Sequence, residues 1–107
     1  MEKSEGESRM IEKIKIGWRE YKIVIDPIID ANHTKGEIVY SQSRITITPN
    51  QSGEETKTCL IHEILHGIFF NMGSELVSSE DFISGLTDHL YQVIKENPDF
   101  LKYIGEE

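Results

Sequence analysis

Between Cys59 and Phe70 the chain runs through twelve residues that would be apolar on nearly every side of a helix, yet His62, Glu63 and His66 stand among them. A helix apolar all round belongs inside a fold rather than on its surface. The rest of the chain therefore has to be arranged around this segment. Apart from the weakly acidic thiol of Cys59, those three side chains are the only ionisable groups in the stretch. A buried charge is costly unless something compensates it, and one cation compensates all three together.

The three form a His-Glu-x-x-His pattern. At 100° per residue, positions 62 and 66 stand about 40° apart on one face and one turn apart in height, so two imidazole nitrogens can reach one metal ion. Glu63 points to the neighbouring face, where its carboxylate can take a proton from a metal-bound water. The alternative is a helix with two hydrogen-bonded core histidines and a surface glutamate, which needs a separate partner for each group in apolar surroundings.

What surrounds this segment must be small. A chain of 107 residues holds one domain, because domains run to roughly 100 to 200 residues. Residues 1–10 are charged and small and read as a flexible tail, leaving one domain over 11–104. Ile14 and Ile16 alternate with lysines before a turn at Gly17, and Tyr21, Ile23 and Ile25 continue the alternation, which predicts a hairpin. Asp26-Pro27 breaks the second strand, and 28–36 form a connection ending at Gly36. Ile38 to Tyr40 and Arg44 to Thr48 read as two more strands. Ser52 and Glu55 have capping-box spacing and open the motif helix, which runs through Met72 and ends at Gly73. Ser78 with Asp81 is a second capping-box candidate. The helix it opens places Phe82, Ile83, Leu86, Leu90, Val93 and Ile94 on one face and stops before Pro98. The class is α+β.

Charge and composition narrow the partners. Eleven basic against nineteen acidic side chains leave a net charge of −8. Phosphate backbones and anionic lipid attract the opposite sign, so nucleic acid and membrane surfaces are not expected partners. No apolar run is long enough to span a bilayer, and the N-terminal residues lack the apolar stretch of a signal peptide, so the expected compartment is the cytoplasm. A single cysteine fits that expectation.

The stretch Thr58-Cys59-Leu60-Ile61-His62-Glu63-Ile64-Leu65-His66-Gly67-Ile68, followed by Leu86, Leu90-Tyr91-Gln92 and Asn97-Pro98, resembles the small phage-type zincin metallopeptidases related to the ImmA/IrrE family. The resemblance extends over most of residues 11–98. It implies a minimal zincin fold: a small twisted sheet, the motif helix packed beneath it, and a second helix supplying a third ligand to Zn2+. It also implies that the strand nearest the metal, here Arg44 to Thr48, pairs with an extended peptide. The alternation of Ile45 and Ile47 with Thr46 and Thr48 suits an edge strand and equally an ordinary half-buried strand. A metzincin would need a glycine and a histidine where Phe69 and Met72 stand, so that class is excluded.

The third ligand has two candidates. On the second helix Glu80 and His89 flank the apolar face, while Asp81 and Asp88 point outward. The resemblance favours Glu80, whereas simple antiparallel stacking brings residues 86–89, and so His89, level with the motif. Cys59 lies on the histidine side of the first helix and reads as a small buried side chain, since a thiolate ligand would close the position that a catalytic water needs. Tyr91 shares a flank with Glu80 and either supports an oxyanion or packs against the sheet. His33 lies in a polar connection without an assigned role. The expectation is a zinc metallopeptidase acting on a peptide or protein, with Glu63 as base and His62, His66 and Glu80 as ligands. The rival is a zincin-like binding module in which the metal is structural and an edge strand recruits a protein.

Overall fold

A computed structural model describes residues 11–27 and 35–106. The expected tail, most of the 28–36 connection and His33 lie outside the described residues. The fold is α+β. Strands β1 (Lys13–Ile16) and β2 (Arg19–Ile25) form the expected hairpin, in register Lys13 with Lys22 and Ile16 with Arg19. Gly17 makes the turn at φ +65, a left-handed conformation that costs glycine little. Strand β3 (Gly36–Val39) passes through a 3₁₀ turn, Tyr40–Gln42, and a left-handed Ser43 into β4 (Arg44–Ile47). The sheet order is β1-β2-β4-β3, with β4 parallel to β2 and antiparallel to β3.

That order corrects one expectation. Arg44 to Thr48 does not form an edge: β4 is bonded on both sides, and Ile45, Thr46, Ile47 and Thr48 are all buried. The isoleucine–threonine alternation resembles a half-exposed strand, but threonine is β-branched and packs well within a sheet. The outer strand on this side is β3. Ile16, Tyr21, Ile23, Ile45 and Ile47 make the core, with Ile38, Cys59, Leu60 and Ile64 packed against it.

Helix α1 (Gly53–Met72) lies on this core. Its capping box forms as the spacing predicts: Glu55 N–H donates to Ser52 Oγ at 3.0 Å, and Ser52 N–H to Glu55 Oε1 at 3.1 Å. Gly73, at φ +70, ends it. Helix and sheet approach closely at Gly67, where a Cβ would stand 2.8 Å from Ile16 Cδ1 and 3.2 Å from Ile38 Cδ1. Only the sheet side and the middle of α1 are covered. Ile68, Phe70 and Met72 are exposed, so the helix is not buried all round as its composition predicts.

A 3₁₀ turn, Glu75–Ser78, leads to α2 (Glu80–Glu96), which packs on α1 through buried Ile83 and Thr87. The expected Ser78–Asp81 capping box is absent. Ser78 belongs to the 3₁₀ turn, which Ser74 caps instead, and Ser79 precedes α2 with no side-chain cap. Helix α2 stops before Pro98 as expected, but Pro98 then opens a third helix, α3 (Pro98–Gly105), that the sequence reading did not include. Proline suits a first helical position because its missing N–H has no intrahelical acceptor there. No helix among the described residues is long and apolar enough to cross a membrane.

Candidate metal centre

His62 and His66 project from the same side of α1, one turn apart, and Glu80 reaches them from the first residue of α2. Glu80 Oε1 stands 3.0 Å from His62 Nε2, and Glu80 Oε2 3.1 Å from His66 Nε2. The two Nε2 atoms are 3.2 Å apart. His66 Nδ1 donates to the Val77 carbonyl at 2.8 Å, which assigns the ring hydrogen to Nδ1 and, in a neutral ring, leaves Nε2 as a lone pair. A neutral His62 with its hydrogen on Nε2 donates to Glu80 Oε1; with the hydrogen on Nδ1 instead, two lone pairs and a carboxylate face one another and favour a positive ion among them. Ligand atoms about 2.0 to 2.1 Å from a tetrahedral ion stand about 3.3 Å from each other, so the three atoms have spacings that one ion could span.

Glu80 lies here because of the turn before it. Helix α1 continues six residues past His66 to Met72, a rise of about 9 Å at 1.5 Å per residue. The 3₁₀ turn, at about 2 Å per residue, returns most of that height before α2 begins. Direct antiparallel stacking would bring residues 86–89 level with the histidines; the extra turn brings Glu80 instead. His89 is exposed and its Nδ1 bonds to the Gly85 carbonyl of its own helix at 2.9 Å, outside the group.

A cleft of about 650 Å³ opens beside the group. Its floor is α1, with Cys59, His62, Glu63 and His66; Glu37 and Ile38 of β3 form one wall, and α2 the other. Glu63 is only 7% exposed, not at the surface, and no hydrogen bond reaches its carboxylate among the described residues. Burial lifts its pKa to about 7; nearby Glu80 and Glu37 add to the rise and His66 opposes it. A carboxyl poised there can exchange a proton near neutrality.

Tyr40 was not singled out by sequence reasoning. It follows the edge strand, stacks on Phe70 with ring centres 3.9 Å apart, and its hydroxyl, pushed up to about 12 by burial and by Glu63, lies 3.5 Å from the His66 carbonyl. Position alone in a short strand-like run gave no signal for this; the 3₁₀ turn puts the ring over α1. Cys59 packs beneath β3, where a Cβ at Gly36 would stand 2.5 Å from its sulfur. Burial, with Glu63 nearby, pushes the thiol to about 11, so it stays protonated and is not in the His–Glu group. Tyr91 donates to Glu54 Oε2 at 3.3 Å, at the start of α1, and is not among the residues lining the cleft. Asp88, expected to face outward, lines the cleft; Asp81 does not.

Comparison with protein-family models, curated proteins and solved structures yields no match to this chain.

Proposed function

We propose that this chain is a zinc-dependent peptidase built on a minimal zincin-like fold of the kind its motif segment resembles. The observation that carries the reading is the convergence of His62 Nε2, His66 Nε2 and the Glu80 carboxylate, one oxygen toward each ring, at 3.0 to 3.2 Å beside a cleft floored by the buried Glu63. Two imidazoles and a carboxylate with one side open are a donor set suited to catalytic zinc. Zinc in such a set supplies Lewis acidity, polarising a carbonyl oxygen and lowering the pKa of water to about 7.

The chain's own residues then have defined tasks. His66 is held in one tautomer by the Val77 carbonyl, which fixes the direction of its Nε2 lone pair. Glu63, buried and with no hydrogen bond to its carboxylate among the described residues, accepts a proton from the attacking water and delivers it to the leaving amine. The β3 edge and the α2 wall bound the space in which an extended substrate lies.

The test pairs two measurements. Metal content after reconstitution should be one zinc per chain by mass spectrometry, and cleavage of a peptide library should vanish in Glu63→Gln while zinc is retained. A wild-type protein that takes up no zinc removes the reading. A second reading, a binding module with structural zinc, is favoured by one observation: among the described residues β3 has a strand partner on one side only, leaving backbone groups free to recruit a partner strand. Zinc uptake without Glu63-dependent cleavage would select it.

A further inference from the structure

The cleft beside the His–Glu group is unbalanced in charge. Glu37, Glu55, Glu63, Glu80 and Asp88 line it, and Lys35 is the single lysine or arginine among the described lining residues. Lys35 is already drawn to Glu55, at 3.9 Å. A divalent ion on His62, His66 and Glu80 would leave the lining with an excess of negative charge. Glu37, on the β3 wall, and Asp88, on the α2 wall, have no hydrogen bond or ion pair among the described residues. Between those walls the floor carries Glu63, more than nine-tenths buried and without a hydrogen bond to its carboxylate among the described residues, facing the same space.

We infer that the cleft selects peptides carrying a lysine or arginine side chain, with Glu37 and Asp88 as the residues that choose it. The inference rests on the reading that an extended peptide lies in this cleft, and it names what that peptide must bring. A chain threaded between two walls presents successive side chains to opposite sides. An acidic side chain meets carboxylates on both, whereas a cationic one finds an uncompensated acid on either. Near a surface attraction to, or repulsion from, one such acid is worth a factor of about 3 to 5 in affinity at low ionic strength, so exchanging Glu for Lys opposite either wall changes affinity about 10-fold or more.

The experiment measures binding and cleavage separately. Fluorescent alanine-based octapeptides with a central Lys, Arg, Gln or Glu are titrated by anisotropy into zinc-reconstituted wild type, and into zinc-reconstituted Glu63→Gln so that turnover cannot distort the curve. The Lys and Arg peptides should bind about 10-fold tighter than the Glu peptide at low salt, with the margin shrinking at high salt. The double variant Glu37→Gln/Asp88→Asn should lose most of that margin with zinc content unchanged. Glu75→Gln/Asp99→Asn, which removes the same charge away from the cleft, should keep it; an equal loss there means that overall charge is responsible and overturns the inference. Equal affinity for all four peptides, or no binding of any, also overturns it. Mass spectrometry on the wild-type samples judges hydrolysis apart from this: charge-selective binding without cleavage supports the selectivity and removes the peptidase, while cleavage without charge preference does the reverse.

Discussion

A buried carboxyl without a hydrogen bond should make the metal-free protein lose stability as the solution turns neutral. Glu63 has an ordinary value of 4.5 and is held at about 7 in the fold, chiefly by burial. Because the folded state keeps its proton to higher pH than the unfolded chain, the contribution is unperturbed below 4.5, falls between 4.5 and 7, and is fully lost above 7. Each tenfold shift in a protonation equilibrium is about 1.4 kcal/mol, so the loss across this range is about 3 kcal/mol. Glutamine has nearly the same shape and no charge to desolvate. Urea denaturation in the presence of a chelator, at pH 4.5 and pH 8, should therefore show Glu63→Gln gaining about 3 kcal/mol relative to wild type at the higher pH. The difference between the two profiles isolates Glu63 and its coupling to His66. Parallel profiles would refute the placement of an unpaired carboxyl in the interior.

Further outcomes follow from the geometry. Glu80→Ala should weaken zinc binding by about 100-fold or more in competition with a chromophoric chelator, while His89→Ala, whose ring bonds only to its own helix, should leave it unchanged. Gly67→Val should destabilise by about 2 kcal/mol in thermal or urea melts, because even the first added carbon would meet Ile16 and Ile38. Gly85→Ala, with nothing near the new methyl, should stabilise α2 by about 0.5 to 1 kcal/mol. Ile83→Ala should cost about 2 to 5 kcal/mol and also loosen zinc, since Ile83 is fully buried one turn after Glu80.

What could be read from the residues depended on how local the physics was. The Ser52–Glu55 cap, the turn at Gly17 and the stop before Pro98 each rest on contacts within a few positions, and each forms as read. The fourfold spacing of His62 and His66 likewise fixes their common side. The position of β4 does not follow from its own pattern, because strand order is set by pairing between distant segments, and Thr46 and Thr48 look the same at an edge or inside. The level at which Glu80 meets the histidines depends on a short 3₁₀ turn, Glu75–Ser78, that carries little periodicity. Tyr91 was sorted by helix angle correctly enough to lie on a flank, yet its partner Glu54 is 37 residues away and was not foreseeable from angles.

The His–Glu group and its support are confined to one helical hairpin. His62, His66, the Val77 carbonyl and Glu80 all lie between residues 62 and 80, whereas the burial of Glu63 also depends on β3 and the sheet. The proposed ion site and the proposed base thus lie on pieces of chain with different folding reach. The hairpin can assemble its donors from contacts short in sequence, while Glu63 gains its raised pKa only after the distant strands close over it. On the proposed reading, a lesion in the sheet would spare the metal site and remove the proton transfer, and a change of even one residue in the length of the 73–79 connection would do the opposite, leaving Glu63 buried beside a broken donor set.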